Sequence, residues 1–588
     1  MLPHAASCAA PLRPPPPGSS CAQLRAARRC AAPRHHGRPS PAVAALPPSS
    51  FGDASSDPRA ALLQALGAVA AARAAAARAS AADAAASAAR FVAQLAPPPP
   101  GFPPGPPGDS GAALASDPLA FIAAAAARYG GAVGLRLAGA RAVLVSRPEW
   151  AEAVLITGSE SYTKRGTAFF PGSSLAGEGL LVSDGEVWQR QRRLATPAFR
   201  AAAVASYAAA MGAAAEELLT HTWRIAATDA IADAADATSS SPHHSAAAPP
   251  VLRDVYADFN ELTLRVVARA LFGADVAGAA AAEINGAIAE AFAFFAARTA
   301  SGPPLPEWLP TADNARFAAA VARLDRAVYR LIGARRAALA REGPASAASS
   351  EAPPADLLDA LLRARDAGDG GGMGDVALRD ELMTLLVAGQ ETSALVLTWT
   401  SALLAQHADV ARRVAAEARA VLGADRPAGA ADLARLPLTT AAVYEAMRLL
   451  PPAYMVGRCA ARDVALGPWR VPAGTTLLVS PYLLHRSEAQ WGADAAQFRP
   501  DRWLDAGGAV RPDALRGMGA NGAYVPFGAG PRNCIGTGFA MMEAVLITAA
   551  VARRAELSVP PGQPPPAPAA LITLRPAGAT LAVAPRPW

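Results

Sequence analysis

Cysteine is scarce in this sequence, and where it occurs narrows the reading at once. Of five cysteines in 588 residues, Cys8, Cys21 and Cys30 fall in the first 52, leaving Cys459 and Cys534 for everything that follows. Two thiols make no disulfide framework in so long a chain, and no Cys/His cluster has zinc-finger spacing, so a reducing compartment is expected. The phosphate loop, the G-x-G-x-x-G dinucleotide fingerprint and any repeat period are missing too. No stretch is apolar for long enough to be a transmembrane anchor. Residues 60–72 between Arg59 and Arg73 come nearest, and a span needs about twenty residues.

Acid is absent from one region. Residues 1–52 hold Arg13, Arg25, Arg28, Arg29, Arg34 and Arg38 but no Asp or Glu, so the net charge of +6 belongs to that segment and the remainder is formally neutral. A nucleic-acid partner is therefore not expected. A basic, acid-free leader rich in Ser, Ala and Pro reads as an organelle transit peptide, plastid before mitochondrion, removed before folding. Almost every cation is arginine, which fits coding bias and carries no functional weight.

What is present is a large apolar content. With 52% hydrophobic and 17% charged residues, the chain can bury a substantial core and is not wholly disordered. Residues 53–108 form an Ala-rich segment, compatible with a helix lying on a membrane surface, followed by a Pro-rich hinge, PPPPGFPPGPPG at 97–108. From 109 to 588 one main domain is expected. Residues 132–146 predict two short strands around a Gly-containing turn, and the rest is mostly helical by period. Low-complexity insertions near 233–250 and 342–355 read as surface loops, with His243 and His244 as solvated loop residues.

The informative segment is PFGAGPRNCIG at 526–536. It sets Phe527, Gly530, Arg532, Cys534 and Gly536 in the pattern F-x-x-G-x-R-x-C-x-G, which this composition produces by chance with a probability on the order of one in ten thousand. Each residue has a physical reason if Cys534 is a thiolate ligand of haem iron. The glycines permit positive φ and close approach to a flat macrocycle, and backbone donors lower the thiol pKa. Phe527 limits water access to the sulfur, Arg532 pairs with a haem propionate, and the helix beginning near Ile535 adds its positive end.

Here the sequence resembles the cytochrome P-450 family, whose other signatures follow in order from about residue 109 to the end. The resemblance implies a mainly α fold with small β-sheets, a triangular helical haem domain. YEAMR supplies Glu445 and Arg448, and FRPDRW supplies Arg502; in the family these form a buried ionic network under the haem. WQRQR places Trp188 and Arg192 at a propionate, and Arg458 falls where another propionate arginine is common. LLVAGQETSALVLTW at 385–399 resembles the family's distal central helix, where an opened turn makes room for dioxygen. There Thr392 is expected to hydrogen-bond the oxygen and Glu391 to connect it to water for proton delivery. Cys459 has no such loop around it and reads as a core residue.

The resemblance implies a monooxygenase holding haem b (iron protoporphyrin IX), with dioxygen as co-substrate and NADPH-derived electrons passed on by a partner. No flavin or nicotinamide motif is present, so that partner is a ferredoxin or a flavoprotein reductase, with Arg190 and Arg193 as candidate docking residues. Phe169, Phe170, Val387, Ala388, Tyr454, Met455 and Val456 are apolar, so the substrate is a hydrophobic small molecule. Phe292, Phe294 and Phe295 line an access channel or the core. The plastid-like leader and the central-helix spacing are similar to those of carotenoid-ring hydroxylases, although Gln390 stands where those often carry histidine. Fatty-acid or terpenoid oxidation is the alternative, and a non-catalytic haem-thiolate sensor is the reading from a different class.

Overall fold

The computed structural model describes residues 97–586 except for residues 166, 168–173, 226–248, 274–277, 301–306, 308, 349–355, 367–369, 425 and 513–521. The leader, the Ala-rich segment, Phe169, Phe170, His243 and His244 therefore lie outside the described residues. All the described residues belong to one unit, Ala79–Trp588.

Helix α1, Pro118–Tyr129, starts where the Asp117 carboxylate accepts the Ala120 amide and Pro118 takes the first helical position. Strands β1 (Ala132–Leu137) and β2 (Ala140–Val145) form the hairpin that the sequence predicts. Its two turn residues, Ala138 and Gly139, both take positive φ, 52° and 83°, the geometry whose twist matches a two-residue hairpin. Asp109 steadies the turn by accepting both of their amides.

The proline run, expected to be an extended hinge, turns at Pro100–Gly101, where the Phe102 amide donates to the Pro99 carbonyl, and part of it lies against this sheet. Gly134 donates to the Pro104 carbonyl at 2.9 Å, and a Cβ on Gly105 would sit 1.7 Å from the Gly134 carbonyl oxygen. Glycine is needed there because two backbones touch. The two-residue strand β3 (Tyr162–Thr163) closes the far edge of the same sheet.

The helices that carry the site follow. They are α2 (Gly185–Ala195), α3 (Val255–Phe272), α4 (Gly278–Ala300), α5 (Ala312–Ala348), α6 (Asp375–Gln406) and α7 (Pro437–Leu449). Strands β4 (Val456–Ala460) and β5 (Thr476–Val479) complete the sheet in the order β1-β2-β5-β4-β3, with β2 and β5 parallel and the other pairs antiparallel. Helix α8 (Thr537–Arg554) and the hairpin β6 (Ala567–Ala570) and β7 (Leu574–Ala577) end the set. Residues 342–348, expected in a surface loop, continue α5 as helix.

Helix α6 is apolar on nearly every face, which requires burial on nearly every face. It packs on α3, α7 and α8, and its buried residues run from Leu378 to Leu404. Among the described residues it is the one unbroken helix long and apolar enough to cross a membrane, and 78% of its most apolar stretch is buried inside the protein. The architecture is mainly α with small separate sheets.

Candidate functional site

Three pieces of chain build the site: the cysteine loop, the end of the mixed sheet and the middle of α6. In the loop, Gly528 and Gly530 take φ of 68° and 70°. A Cβ on Gly530 would lie 2.0 Å from the Leu155 carbonyl oxygen, so this position accepts only glycine. The Cys534 amide donates to the Phe527 carbonyl at 2.9 Å, and the Thr537 hydroxyl donates to the Cys534 carbonyl. Gly536 departs from the expected positive φ: at −85° it caps α8, and its missing side chain leaves that flank of the sulfur clear.

Cys534 is exposed on one side and ringed by protein on the others. Burial pushes its thiol up, outweighing the Gly536 amide, Arg192 and Thr537, which pull it down. The donors act in the direction that the sequence implies. A coordinated metal would ionise the thiol outright.

Beside the loop, cations outnumber acids. The Arg532 guanidinium pairs with Asp184 and lies 4.5 Å from the centre of the Trp188 ring. Among the described residues its Nη1 is buried with no partner. Arg458 on β4 is buried, and its guanidinium donates to the carbonyl of its own neighbour Gly457. Burial, then Arg532, pushes Arg458 down to about 10, against Asp184. Lys164, just after β3, donates its backbone amide to Asp184 at 2.9 Å. Arg192 turns to the loop itself, donating to the Asn533 carbonyl at 2.9 Å and to its side-chain oxygen at 3.0 Å. Sequence reasoning missed both Lys164 and Asp184, although a signal existed: Lys164 is the one lysine in the chain.

The Glu445–Arg448–Arg502 network is complete. Glu445 accepts two bonds from Arg448 and one each from Arg502, the Arg499 amide and the Trp503 indole, at 2.8–3.0 Å. Arg448 gives its remaining donors to the carbonyls of His485, Ala495 and Gln497. His485, a second residue missed from sequence, accepts the Val525 amide at 2.8 Å and so ties this network to the start of the cysteine loop. Burial first, then Arg448 and Arg486, holds His485 down at about 3, so it stays neutral and able to accept.

On α6, Thr392 donates to the Ala388 carbonyl at 2.6 Å. The turn expected to open here is unbroken helix. A Cβ at Gly389 would meet Val267 of α3 at 3.5 Å, an ordinary contact, so neither an opened turn nor close packing requires glycine there. Buried Glu391 is held from the terminal hairpin: one of its oxygens accepts Arg575 at 2.6 Å and Thr573 at 2.8 Å, with the Tyr256 hydroxyl at 3.4 Å. All three donors meet the same oxygen, Oε1. Arg575 was missed because 184 residues separate it from its partner.

Other candidates fall outside the centre. Gln390 faces α3, donating to Asn260 at 2.6 Å. Phe294 stacks on Phe317 of α5 with ring centres 4.2 Å apart, and Phe295 packs edge-on to the same ring, both as core. Phe292 lies against Arg575. Val387 is buried and Ala388 partly covered on α6. Tyr454 and Met455 belong to a buried cluster with α1, and the Tyr454 hydroxyl donates to Leu571, while Val456 is partly covered at the start of β4. Cys459 is buried on β4. Arg190 and Arg193, the candidate docking residues, both reach Asp366, and Arg190 also donates to the Gly371 and Gly372 carbonyls.

A loop glycine that tolerates no side chain, an accessible cysteine behind it and a saturated Glu-Arg-Arg network beneath agree with the comparison of sequences. The Cytochrome P450 family profile matches residues 99–583. The chain belongs to the cytochrome P450 family. It is similar to cyclooctatin synthase of Streptomyces melanosporofaciens, 36% identical over 76% of this chain and 87% of that protein. Pentalenene oxygenase of Streptomyces avermitilis is 31% identical over 76% of this chain and 88% of that protein. LUTEIN DEFICIENT 5, a chloroplastic protein of Arabidopsis thaliana, is 30% identical over 74% of this chain and 69% of that protein. This P450 is a monooxygenase of a family that works with haem iron and dioxygen, needs a redox partner and takes hydrophobic substrates.

Proposed function

We propose that this P450 hydroxylates or epoxidises an isoprenoid hydrocarbon, with the rings of carotenoids inside that class. The observation that carries the chemistry is the pairing of the Cys534 loop with an excess of cations beside it. Haem b would fit both: the Cys534 sulfur would hold its iron, and Arg458 and Arg532, whose Nη1 has no partner among the described residues, with Trp188 alongside, would hold its propionates. When bound, the thiolate-ligated haem supplies dioxygen activation and insertion of one oxygen atom into an unactivated bond.

The chain's own residues do the rest. Phe527 shields the sulfur, and Arg192 fixes Asn533 and so the backbone leading into Cys534. Glu445, Arg448 and Arg502 hold the loop rigid through His485 and Val525. Thr392 presents a hydroxyl at the middle of α6, and buried Glu391 beside it holds a proton route together with Arg575, Thr573 and Tyr256. The Thr392–Glu391 pair favours catalysis over sensing, because a sensor has no use for proton delivery.

The substrate class rests on relatives named for cyclooctatin and pentalenene, alongside one named for lutein. The acid-free leader and the chloroplastic relative support a plastid location, with the mitochondrion as the alternative. A ferredoxin then fits as electron donor better than a flavoprotein reductase.

The test is the carbon monoxide difference spectrum of the reduced full-length protein. Wild type is expected to show the long-wavelength Soret band peculiar to thiolate ligation, and Cys534→Ala to lose it. Haem bound without that band in wild type overturns the ligand assignment.

A further inference from the structure

Helix α6 is apolar on nearly every face, so apolar packing alone fixes neither its rotation nor its height against α3. A slip of one residue would turn it by about 100° and move it by about 1.5 Å. Valines and leucines tolerate such repacking, whereas a buried amide that loses its partner does not. Tyr256, Asn260 and Thr263 share one face of α3, four and three residues apart. The Gln390 side-chain amide donates to the Asn260 side-chain oxygen at 2.6 Å and to the Asn260 carbonyl at 3.2 Å, while Asn260 donates to the Tyr256 carbonyl at 2.8 Å. The fully buried Thr263 hydroxyl lies 2.9 Å from the carbonyls of Phe259 and Gln390. This face of α3 thus grips Gln390 by side chain and backbone together, and the Tyr256 hydroxyl reaches Glu391 beside it.

Gln390, Glu391 and Thr392 are consecutive, so they point about 100° apart around α6. Holding Gln390 on α3 therefore dictates where the other two face: Glu391 toward Arg575 and Thr573, Thr392 toward the partly covered side it shares with Ala388. Gln390 is 2% exposed. A buried polar pair adds little stability over an apolar one, and its best-attested use is to fix register.

We propose that Asn260 and Gln390, with Thr263, are positioning residues of the reaction: they pin the rotation of α6 and so aim the Thr392 hydroxyl and the Glu391 carboxylate. The proposal rests on the assignment of Thr392 and Glu391 to the proton route above. None of the three pinning residues touches a reacting atom, and each acts through α6. Replacing the amide pair by apolar side chains leaves α6 packed but able to settle in more than one rotation. Exchanging the two amides keeps the pin.

The test reads the infrared stretch of carbon monoxide bound to the reduced full-length holoenzyme, a band set by the polar groups around the ligand, beside the thermal midpoint. Thr392→Val marks where the band moves when that hydroxyl is lost. Asn260→Leu combined with Gln390→Met is expected to split the wild-type band and shift part of it to the Thr392→Val position, while the midpoint holds or rises. The exchange Asn260→Gln with Gln390→Asn is expected to keep the single wild-type band. A packing role alone predicts the reverse, a lowered midpoint with the band unmoved. That result, or an exchange that leaves the band split, overturns the proposal. If the apolar double variant takes up no haem, Gln390→Met alone decides by the same band, since Asn260 is only partly covered and keeps solvent as a partner. If Thr392→Val leaves the band where it was, the assignment of Thr392 to the proton route fails, and the proposal falls with it.

Discussion

Two arginine-rich centres flank the cysteine loop, and they differ in whether their donors are all satisfied. Around Glu445, one carboxylate meets two guanidiniums, an indole and an amide, and Arg448 spends its other donors on three carbonyls. Around Asp184, one carboxylate meets the Arg532 guanidinium and the amides of Lys164 and Arg165, and among the described residues Arg532 Nη1 is left without a partner. The first has no valence left for a ligand, so it can only hold the fold. The second is incomplete as a piece of folding and makes sense as half of a binding site. Burial alone does not tell them apart, because Arg448 and Arg458 are both buried. Satisfaction does.

The sharpest way to break the comparison is to remove charge from each centre and see which property fails. Glu445→Gln leaves Arg448 buried without its counter-charge, and is expected to lower stability by about 3–5 kcal/mol. Urea unfolding of the haem-free chain reads it, and haem content falls as a consequence. Arg458→Met takes one cation from the centre that has too many. Its haem-free stability is expected to hold or rise, while haem affinity drops about ten- to a hundredfold, the worth of roughly 1.5–3 kcal/mol for a charged hydrogen bond. A haem titration beside the same unfolding curve checks both. Should Arg458→Met destabilise the chain as much as Glu445→Gln, the two centres would be alike and the contrast would be lost.

This difference also marks what a sequence displays. Cys534, Gly530 and Phe527 are legible because an eleven-residue loop must satisfy all its constraints locally. Glu445 and Arg448 are legible because helical spacing puts them on one face. Asp184, His485 and Arg575 left no local pattern, since their partners lie on distant elements that only the folded chain assembles. The unbroken turn at Gly389 was misjudged for a related reason. A glycine in an apolar helix reads equally as an opening or as an ordinary helical position, and only the continuous backbone of α6 decides between them. Lys164 could have been found from composition, as the exception among arginines, but the bond of its amide to Asp184 exists only in the folded chain.

Glu391 supplies the intermediate case and the smallest expected effect. Its carboxylate meets one cation, Arg575, whose side chain is 20% exposed and also faces the Phe292 ring. Burial pulls Arg575 down, yet the bond to Glu391 and the charges of Glu391 and Tyr256 together outweigh it and the group ends raised. The pair is therefore balanced without being saturated, as suits an acid that must hold its place and still exchange protons. Arg575→Gln removes the charge but leaves Thr573 and Tyr256 as donors, so the stability loss is expected to be about 1–2 kcal/mol, below that of Glu445→Gln. Haem content should not change. The loss should appear in coupling: with NADPH and a plant ferredoxin system, more hydrogen peroxide is released per dioxygen consumed, and Arg575→Lys restores most of the difference. If peroxide yield stays at the wild-type level in Arg575→Gln, Glu391 is one more saturated structural carboxylate, and it joins Glu445 on the other side of the comparison.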